Sequence, residues 1–141
     1  MVFSDGVLTT DEAHRRFDRM LALAAELPFA KQPVVERSTG LIVGYSGVDR
    51  FELDGTPCLE WGWRLRPEAR GKGYATEAGL ALLVRANEVF RGEVIAMIDP
   101  ANVPSRKVAA KLGFGFWKQS VVGGYVTDIL RLWIGEAAAG A

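Results

Sequence analysis

Between an expected strand, Leu59–Leu65, and an expected helix, Thr76–Val89, runs Arg70-Gly71-Lys72-Gly73-Tyr74-Ala75. A helix start exposes backbone N–H groups without partners and the positive end of the macrodipole, so it attracts phosphate. Glycines at 71 and 73 allow main-chain conformations closed to other residues and remove side chains that would hold an anion away. Arg70 and Lys72 add charge beside those amides. One reading is a diphosphate cradle; the other is a glycine-punctuated turn with two solvated cations. A P-loop would need Ser or Thr directly after its lysine, where Gly73 stands, and a glycine five places earlier. A dinucleotide fingerprint would need glycine or alanine at Thr76 and further strand–helix repeats, whereas this chain closes with an expected hairpin. Neither pattern fits.

Composition narrows the remaining chemistry. The 141 residues include one cysteine, Cys58, and one histidine, His14. An internal disulfide is excluded, and a structural zinc site wants four Cys or His ligands, so no metal is expected. A Ser–His or Cys–His pair would have to recruit His14 from a charged stretch near the start. Acid–base work therefore falls to carboxylates, tyrosines, hydroxyls or the single thiol. Seventeen basic and seventeen acidic residues cancel, which leaves no surplus for nucleic acid and no clue to steering. Met1 to Asp11 has neither the basic nor the apolar part of a signal peptide. Apolar runs such as Leu80–Val84 are far short of the ~20 residues of a membrane span, and a lone thiol suits the cytoplasm.

The elements that must position these groups follow from periodicity. Thr9 and Glu12 have capping-box spacing ahead of a helix over Thr9–Leu27, with an apolar stripe at Ala13, Phe17, Met20, Leu21, Ala24 and Leu27. Strands follow at Pro33–Arg37, Leu41–Phe51 and Leu59–Leu65, separated by Ser38-Thr39-Gly40 and Asp54-Gly55 turns. In the last strand Leu59, Trp61, Trp63 and Leu65 share one face. Glu60, Gly62 and Arg64 take the other, Gly62 suggesting a bulge or a close backbone approach. The Thr76–Val89 helix is apolar at Leu80, Leu83, Val84 and Ala86. A strand at Glu93–Ile98, apolar enough to be buried on both faces, leads to a helix over Pro104–Leu112 that ends at Gly113. Phe114–Val121 and Tyr125–Ile134 form a hairpin across Gly123-Gly124. The four tryptophans, Trp61, Trp63, Trp117 and Trp133, lie in strands and are expected in the core. One α/β (or α+β) domain spans residues 1–141, with a tail from Gly135 expected to fray.

Glu60-Trp61-Gly62-Trp63-Arg64-Leu65, Arg70 to Ala75 and Asp99-Pro100-Ala101-Asn102-Val103-Pro104-Ser105 occur in this order, the last opening a helix that ends Leu112-Gly113-Phe114. Together they resemble the GNAT superfamily of acetyl-CoA-dependent N-acetyltransferases, in particular the branch that acts on ribosomal-protein N-termini. Arg70, Gly73 and Ala75 match the family's pyrophosphate-loop pattern; Glu77-Ala78, Asn102 with Ser105, and Leu112-Gly113-Phe114 match the branch in order and spacing. The resemblance covers roughly residues 9–134. It implies a mixed, mostly antiparallel sheet with helices on both faces and a V-shaped splay between two central strands.

It further implies acetyl-CoA as co-substrate and a small-molecule amine or a peptide N-terminus as acceptor, with direct attack of the amine on the thioester. The amides of Arg70, Gly71, Lys72, Gly73, Tyr74 and Ala75 would hold the pyrophosphate. The backbone from Trp63 to Leu65 would pair with the pantetheine arm and Asn102 would bond it from the opposite side. Ser105 would donate to the departing sulfur, or be an ordinary first-turn serine. Glu60 would be the base, directly or through water, or a solvated strand-face carboxylate. The family normally opens with a strand and a helix before the segment that Thr9 begins. Their absence would uncover the Pro33–Arg37 edge, allowing a homodimer, and thin the acceptor site. A CoA-binding module without turnover, or a binder of another phosphate ligand, are the rival readings.

Overall fold

The capping box forms as the spacing predicts. Glu12 N–H donates to Thr9 Oγ1 and Thr9 N–H to Glu12 Oε2, both at 3.2 Å, and α1 (Thr10–Glu26) runs from there. The computed structural model describes residues 9–135, so the opening segment before Thr9 and the tail beyond Gly135 lie outside the described residues. Then come β1 (Gln32–Val35), β2 (Ile42–Leu53), β3 (Thr56–Leu65), α2 (Tyr74–Val89), β4 (Gly92–Ile98), α3 (Val103–Leu112), β5 (Gly115–Val122) and β6 (Tyr125–Ile134). The strands make one sheet in the order β1-β2-β3-β4-β6-β5. Neighbours are antiparallel except β3 and β4, which are parallel and matched only at Glu60 and Ile95. That single match is the root of the expected splay, and the fold class stands as read.

The main core lies on the face that α2 and α3 cover. Trp61 and Trp63 from β3 meet Val94, Ala96 and Ile98 from β4, Ala109 and Leu112 from α3, and Ala75, Leu82 and Ala86 from α2. Half of the stripe expected on α2 is displaced: Leu80 and Val84 are exposed, while Ala86 is buried and Leu83 packs against the core as expected, joined by Ala75, Gly79 and Leu82. Small residues face inward because the helices touch. A Cβ on Gly79 would sit 2.7 Å from Leu112 Cδ2. The α1 stripe is also corrected. Phe17 and Leu21 are exposed, and the helix buries Leu23, with Leu27 packed one turn later on the same side.

The opposite face carries a second cluster built from strands alone, Leu53, Ile95, Met97 and Ile129. The β2–β3 turn closes over it. Asp54 (φ 50°) and Gly55 (φ 82°) take left-handed conformations, and the Asp54 carboxylate accepts from Lys118 Nζ at 3.1 Å and Ser120 Oγ at 2.9 Å. Those bonds hold the Asp54 carboxyl below its ordinary pKa. α1 approaches this face at the other end, where the charge of Arg16 is felt by the Tyr45 hydroxyl. Trp117 and Trp133 are not core residues: they are 38% and 52% exposed. Trp117 lies beneath Lys118 Nζ, 4.3 Å from its ring centre, and the Arg131 guanidinium at 5.1 Å.

Gly62 makes no bulge. It pairs in regular register with Gly47 across β2 and β3, and the close approach is by another segment. A Cβ on Gly47 would meet the Ala30 carbonyl at 2.5 Å, and one on Gly62 would meet Lys31 Cε at 3.4 Å. β1 is an edge of the described sheet. Pro33, which has no N–H, and a register shift between Val34 and Val35 blunt it.

Candidate acyl-transfer site

β3 presents its main chain to the gap. Arg66 N–H donates to the Val43 carbonyl at 2.7 Å, while Val48 bonds on its other side with Phe29 and Lys31. An antiparallel ladder alternates with period two, so the N–H and C=O groups of Trp63 and Leu65 point away from β2 and toward the gap beside β4. The Leu65 carbonyl accepts from Arg70 Nε at 3.3 Å, which ties the loop to the end of this strand.

The glycine loop follows a single 3₁₀ turn, Pro67–Ala69. Gly71 (φ 77°) and Gly73 (φ 81°) are left-handed, and a Cβ on either would meet nothing within 4 Å. Their lack of side chains serves the backbone and leaves its outer side open. α2 begins at Tyr74, two residues before the predicted start, because Gly73 is its left-handed N-cap. Arg70 N–H is already donated to Pro67 O at 3.3 Å, and Glu77 N–H to Gly73 O at 3.0 Å. Among the described residues no backbone carbonyl accepts from the amides of residues 71–76. The available donors thus start at Gly71, one residue later than expected, and extend to Thr76. Lys72 turns away from the gap, its Nζ 3.8 Å from Glu36 Oε2. Tyr74 Oη donates to the same oxygen at 2.7 Å.

α3 supplies the opposite wall. Asn102 is its N-cap, accepting from Ser105 N–H at 3.2 Å, and Asp99 Oδ1 closes the preceding turn by accepting from Ala101 N–H at 2.9 Å. The cap occupies Asn102 Oδ1 and leaves the amide nitrogen for a ligand. Lys107 and Lys111, four residues apart on the face that Pro104 and Val108 share, also look into the space. The sequence reading missed both lysines, although this spacing was visible.

Between these walls lies a recess of about 560 Å³. It brings together Trp63, Leu65, Arg70, Gly71, Gly73, Tyr74, Ala75, Asn102 and Ser105; of the expected set, Lys72 and Glu60 are not on its wall. Among the described residues Arg64, Arg70, Lys107 and Lys111 line it and no acidic residue does. A chain of zero net charge therefore has a locally positive cleft. At its inner end Trp63, Asn102 and Ser105 also border a gap of about 10 Å³ between β3 and β4, roughly room for one water. Glu60 lies there with Gly62 and Met97. It is 7% exposed, and its Oε2 is buried without a hydrogen-bond partner among the described residues. Burial pushes its carboxyl pKa up, and the Lys31 ammonium draws it part of the way back. Cys58 is half-buried beyond the cleft, its thiol pushed up by burial, and His14 is exposed on α1.

The sequence model of the acetyltransferase (GNAT) domain matches residues 1–115. An N-acetyltransferase of Bacillus subtilis, YnaD, itself uncharacterized, is 31% identical over 121 residues, 83% of this chain and 68% of that protein. A GnaT-family protein from Bordetella pertussis superposes with a TM-score of 0.81 at 25% identity, over 92% of this chain and 82% of that one. The phosphinothricin acetyltransferase of Sinorhizobium meliloti, solved with acetyl-CoA, gives 0.72 at 23% identity, over 94% and 73%.

Proposed function

This chain belongs to the GNAT acetyltransferase family, and on that premise we propose that it transfers an acetyl group from acetyl-CoA to a primary amine. The amine belongs to a small molecule or to a peptide N-terminus. The observation that carries the reading is the positive recess with Gly71, Gly73, Tyr74, Ala75 and Thr76 in its floor, where among the described residues no backbone carbonyl accepts from the main-chain amides. That floor suits a pyrophosphate, and acetyl-CoA is the co-substrate of the family. The β3 groups of Trp63 and Leu65 and the Asn102 amide suit a pantetheine arm with alternating amide donors and acceptors. Lys107 and Lys111 stand on the opposite wall as further phosphate partners.

The chemistry is direct transfer. The amine nitrogen attacks the thioester carbon, the C–N bond forms, the C–S bond breaks, and the amide and the CoA thiol leave. Glu60 takes the amine proton, either itself or through the water-sized gap that it borders. Its raised pKa makes it a better base at neutral pH than an ordinary carboxylate. Ser105 Oγ donates to the departing sulfur, which needs little help because a free thiol has pKa ~8.5. The remaining rate enhancement comes from holding two substrates in one geometry. The single cysteine suits a reducing compartment, and the reaction is assigned to the cytoplasm on that ground.

The test is thiol release from acetyl-CoA across a panel of an aminoalkane, free amino acids and tripeptides. Release that depends on one amine class, with a mass gain of one acetyl group on it, supports the reading. Tight acetyl-CoA binding with no amine-dependent release overturns it in favour of a silent binding module.

A further inference from the structure

The Gly47–Gly62 pair leaves a bare track across β2 and β3 on the face opposite the tryptophans, and one segment fills it. The backbone of Ala30 and Lys31 crosses at Gly47, where a Cβ would lie 2.6 Å from Lys31 N, and Gly47 itself has φ 135°. Lys31 N–H is anchored to Val48 O at 3.0 Å. From there the Lys31 side chain runs over Gly62. A Cβ on Gly62 would sit 3.4 Å from Lys31 Cε, 3.7 Å from Lys31 Nζ and 3.1 Å from Glu60 Oε2. An ammonium and a buried carboxylate oxygen thus overhang the same bare α-carbon. The Lys31 side chain is only 12% exposed, and its Nζ lies 4.0 Å from Asp49 Oδ2 and 5.2 Å from the Tyr45 ring centre.

We propose that Lys31 is a positioning residue for the transfer reaction: threaded over the two glycines, it supplies the counter-charge that keeps Glu60 a carboxylate, ready to accept the amine proton. This rests on the reading of Glu60 as the base. Taking an isolated carboxylate out of water favours its neutral form, which cannot accept a proton. Among the described residues the other charged or titratable groups near Glu60 are Asp49 and Tyr45 from β2, Cys58 and Arg64 from β3, and Arg16 from α1. Asp49 opposes ionisation, and Arg64 and Arg16 act on Tyr45, so among the described residues Lys31 is the cation aimed at Glu60. Asp49 also draws on Lys31, but that carboxylate is 42% exposed and water screens it. Gly47 follows from the same requirement, since a Cβ there would strike the Ala30–Lys31 backbone, whereas a Cβ at Gly62 would press on Glu60 Oε2 and only touch the lysine.

The experiment compares wild type, Lys31→Met, Lys31→Arg and Glu60→Gln. The Glu60 side-chain carboxyl is titrated by carbon NMR, with Glu60→Gln identifying its signal. The acidic limb of kcat/KM is recorded with acetyl-CoA and the fastest amine of the panel. Lys31→Met is expected to raise the Glu60 midpoint by about one unit, a tenfold gain in proton affinity, and to carry the acidic limb with it. Lys31→Arg is expected to restore both. An unmoved midpoint in Lys31→Met overturns the role of Lys31, as does an arginine variant that falls with the methionine one. Should Lys31→Met not fold, Lys31→Gln carries the same expectation. If Glu60→Gln keeps the wild-type acidic limb, the base assignment fails and this inference fails with it. If Glu60→Gln loses the limb while Lys31→Met leaves the midpoint alone, only the inference fails.

Discussion

The Tyr74 hydroxyl donates a 2.7 Å hydrogen bond to Glu36 Oε2, tying the first residue of α2 to the residue that follows β1. The amides that would receive a pyrophosphate belong to that same first turn, so the bond braces the cradle from outside. It also holds the Glu36 carboxyl below its ordinary pKa, with Thr39 and then Lys72 adding to the effect, and pushes the Tyr74 phenol up. The sign follows: a carboxyl whose folded pKa is depressed stabilises above its unfolded pKa of about 4.3 and loses that contribution as pH falls through the folded value. Tyr74→Phe should therefore melt earlier than wild type at pH 7, and the gap between the two should narrow when both are melted at pH 3. Equal separation at both pH values would remove the bond from the account.

Arg70 joins the strand to the loop through Leu65 O and adds charge to the recess. Acetyl-CoA at a hundred times its Kd stabilises by about 2.7 kcal/mol, a readily measured rise in Tm. Arg70→Glu should erase that rise while leaving the unliganded protein folded. Arg70→Lys should keep part of it, since lysine retains the charge but not the planar fork. A full thermal shift in Arg70→Glu would take the pyrophosphate away from this loop.

Element order was legible because each element carries its own local signal: the Thr9/Glu12 box, the Asp54-Gly55 and Gly123-Gly124 turns, and Gly113 after the third helix. The position of the cleft was legible as well, because glycines at 71 and 73 mark a strand-to-helix turn whatever lies around it. Which face of a helix is buried was not, since that depends on the partner. α2 turns Gly79 inward because Leu112 comes so close, and leaves Leu80 and Val84 outside. Exposure of Trp117 and Trp133 likewise reflects a face covered by a folded-over hairpin at Asp54 rather than by a helix. Lys31 was invisible for the same reason. Nothing local links it to Glu60, and only the register that sets Gly47 opposite Gly62 brings them together.

Glu60 should trade stability for function. Its folded pKa lies above the unfolded one, so its contribution is most favourable below about pH 4.3 and is lost as pH rises through the folded pKa. Glu60→Gln removes that titration. The Tm of the variant minus that of wild type should grow between pH 4 and pH 8, while kcat falls more than KM rises. A Tm difference that stays flat with pH would mean that folding does not raise the Glu60 pKa above its unfolded value.

Ser105 separates helix structure from chemistry, because the bond to the Asn102 cap comes from its backbone N–H, which alanine keeps. Ser105→Ala should change stability by no more than about 0.5 kcal/mol. The acetyl-CoA thermal shift should be unchanged, since the proposed phosphate cradle is residues 71–76 and not Ser105. What should change is turnover. A hydrogen bond to a charged group is worth about 1.5–3 kcal/mol, so losing one that forms only as the thiolate departs should lower kcat by roughly ten- to a hundredfold with KM little altered. The loss should shrink with a thioester of a more acidic thiol, whose sulfur needs less stabilisation. An unchanged kcat would assign Ser105 to the helix start alone and leave the departing sulfur to the solvent.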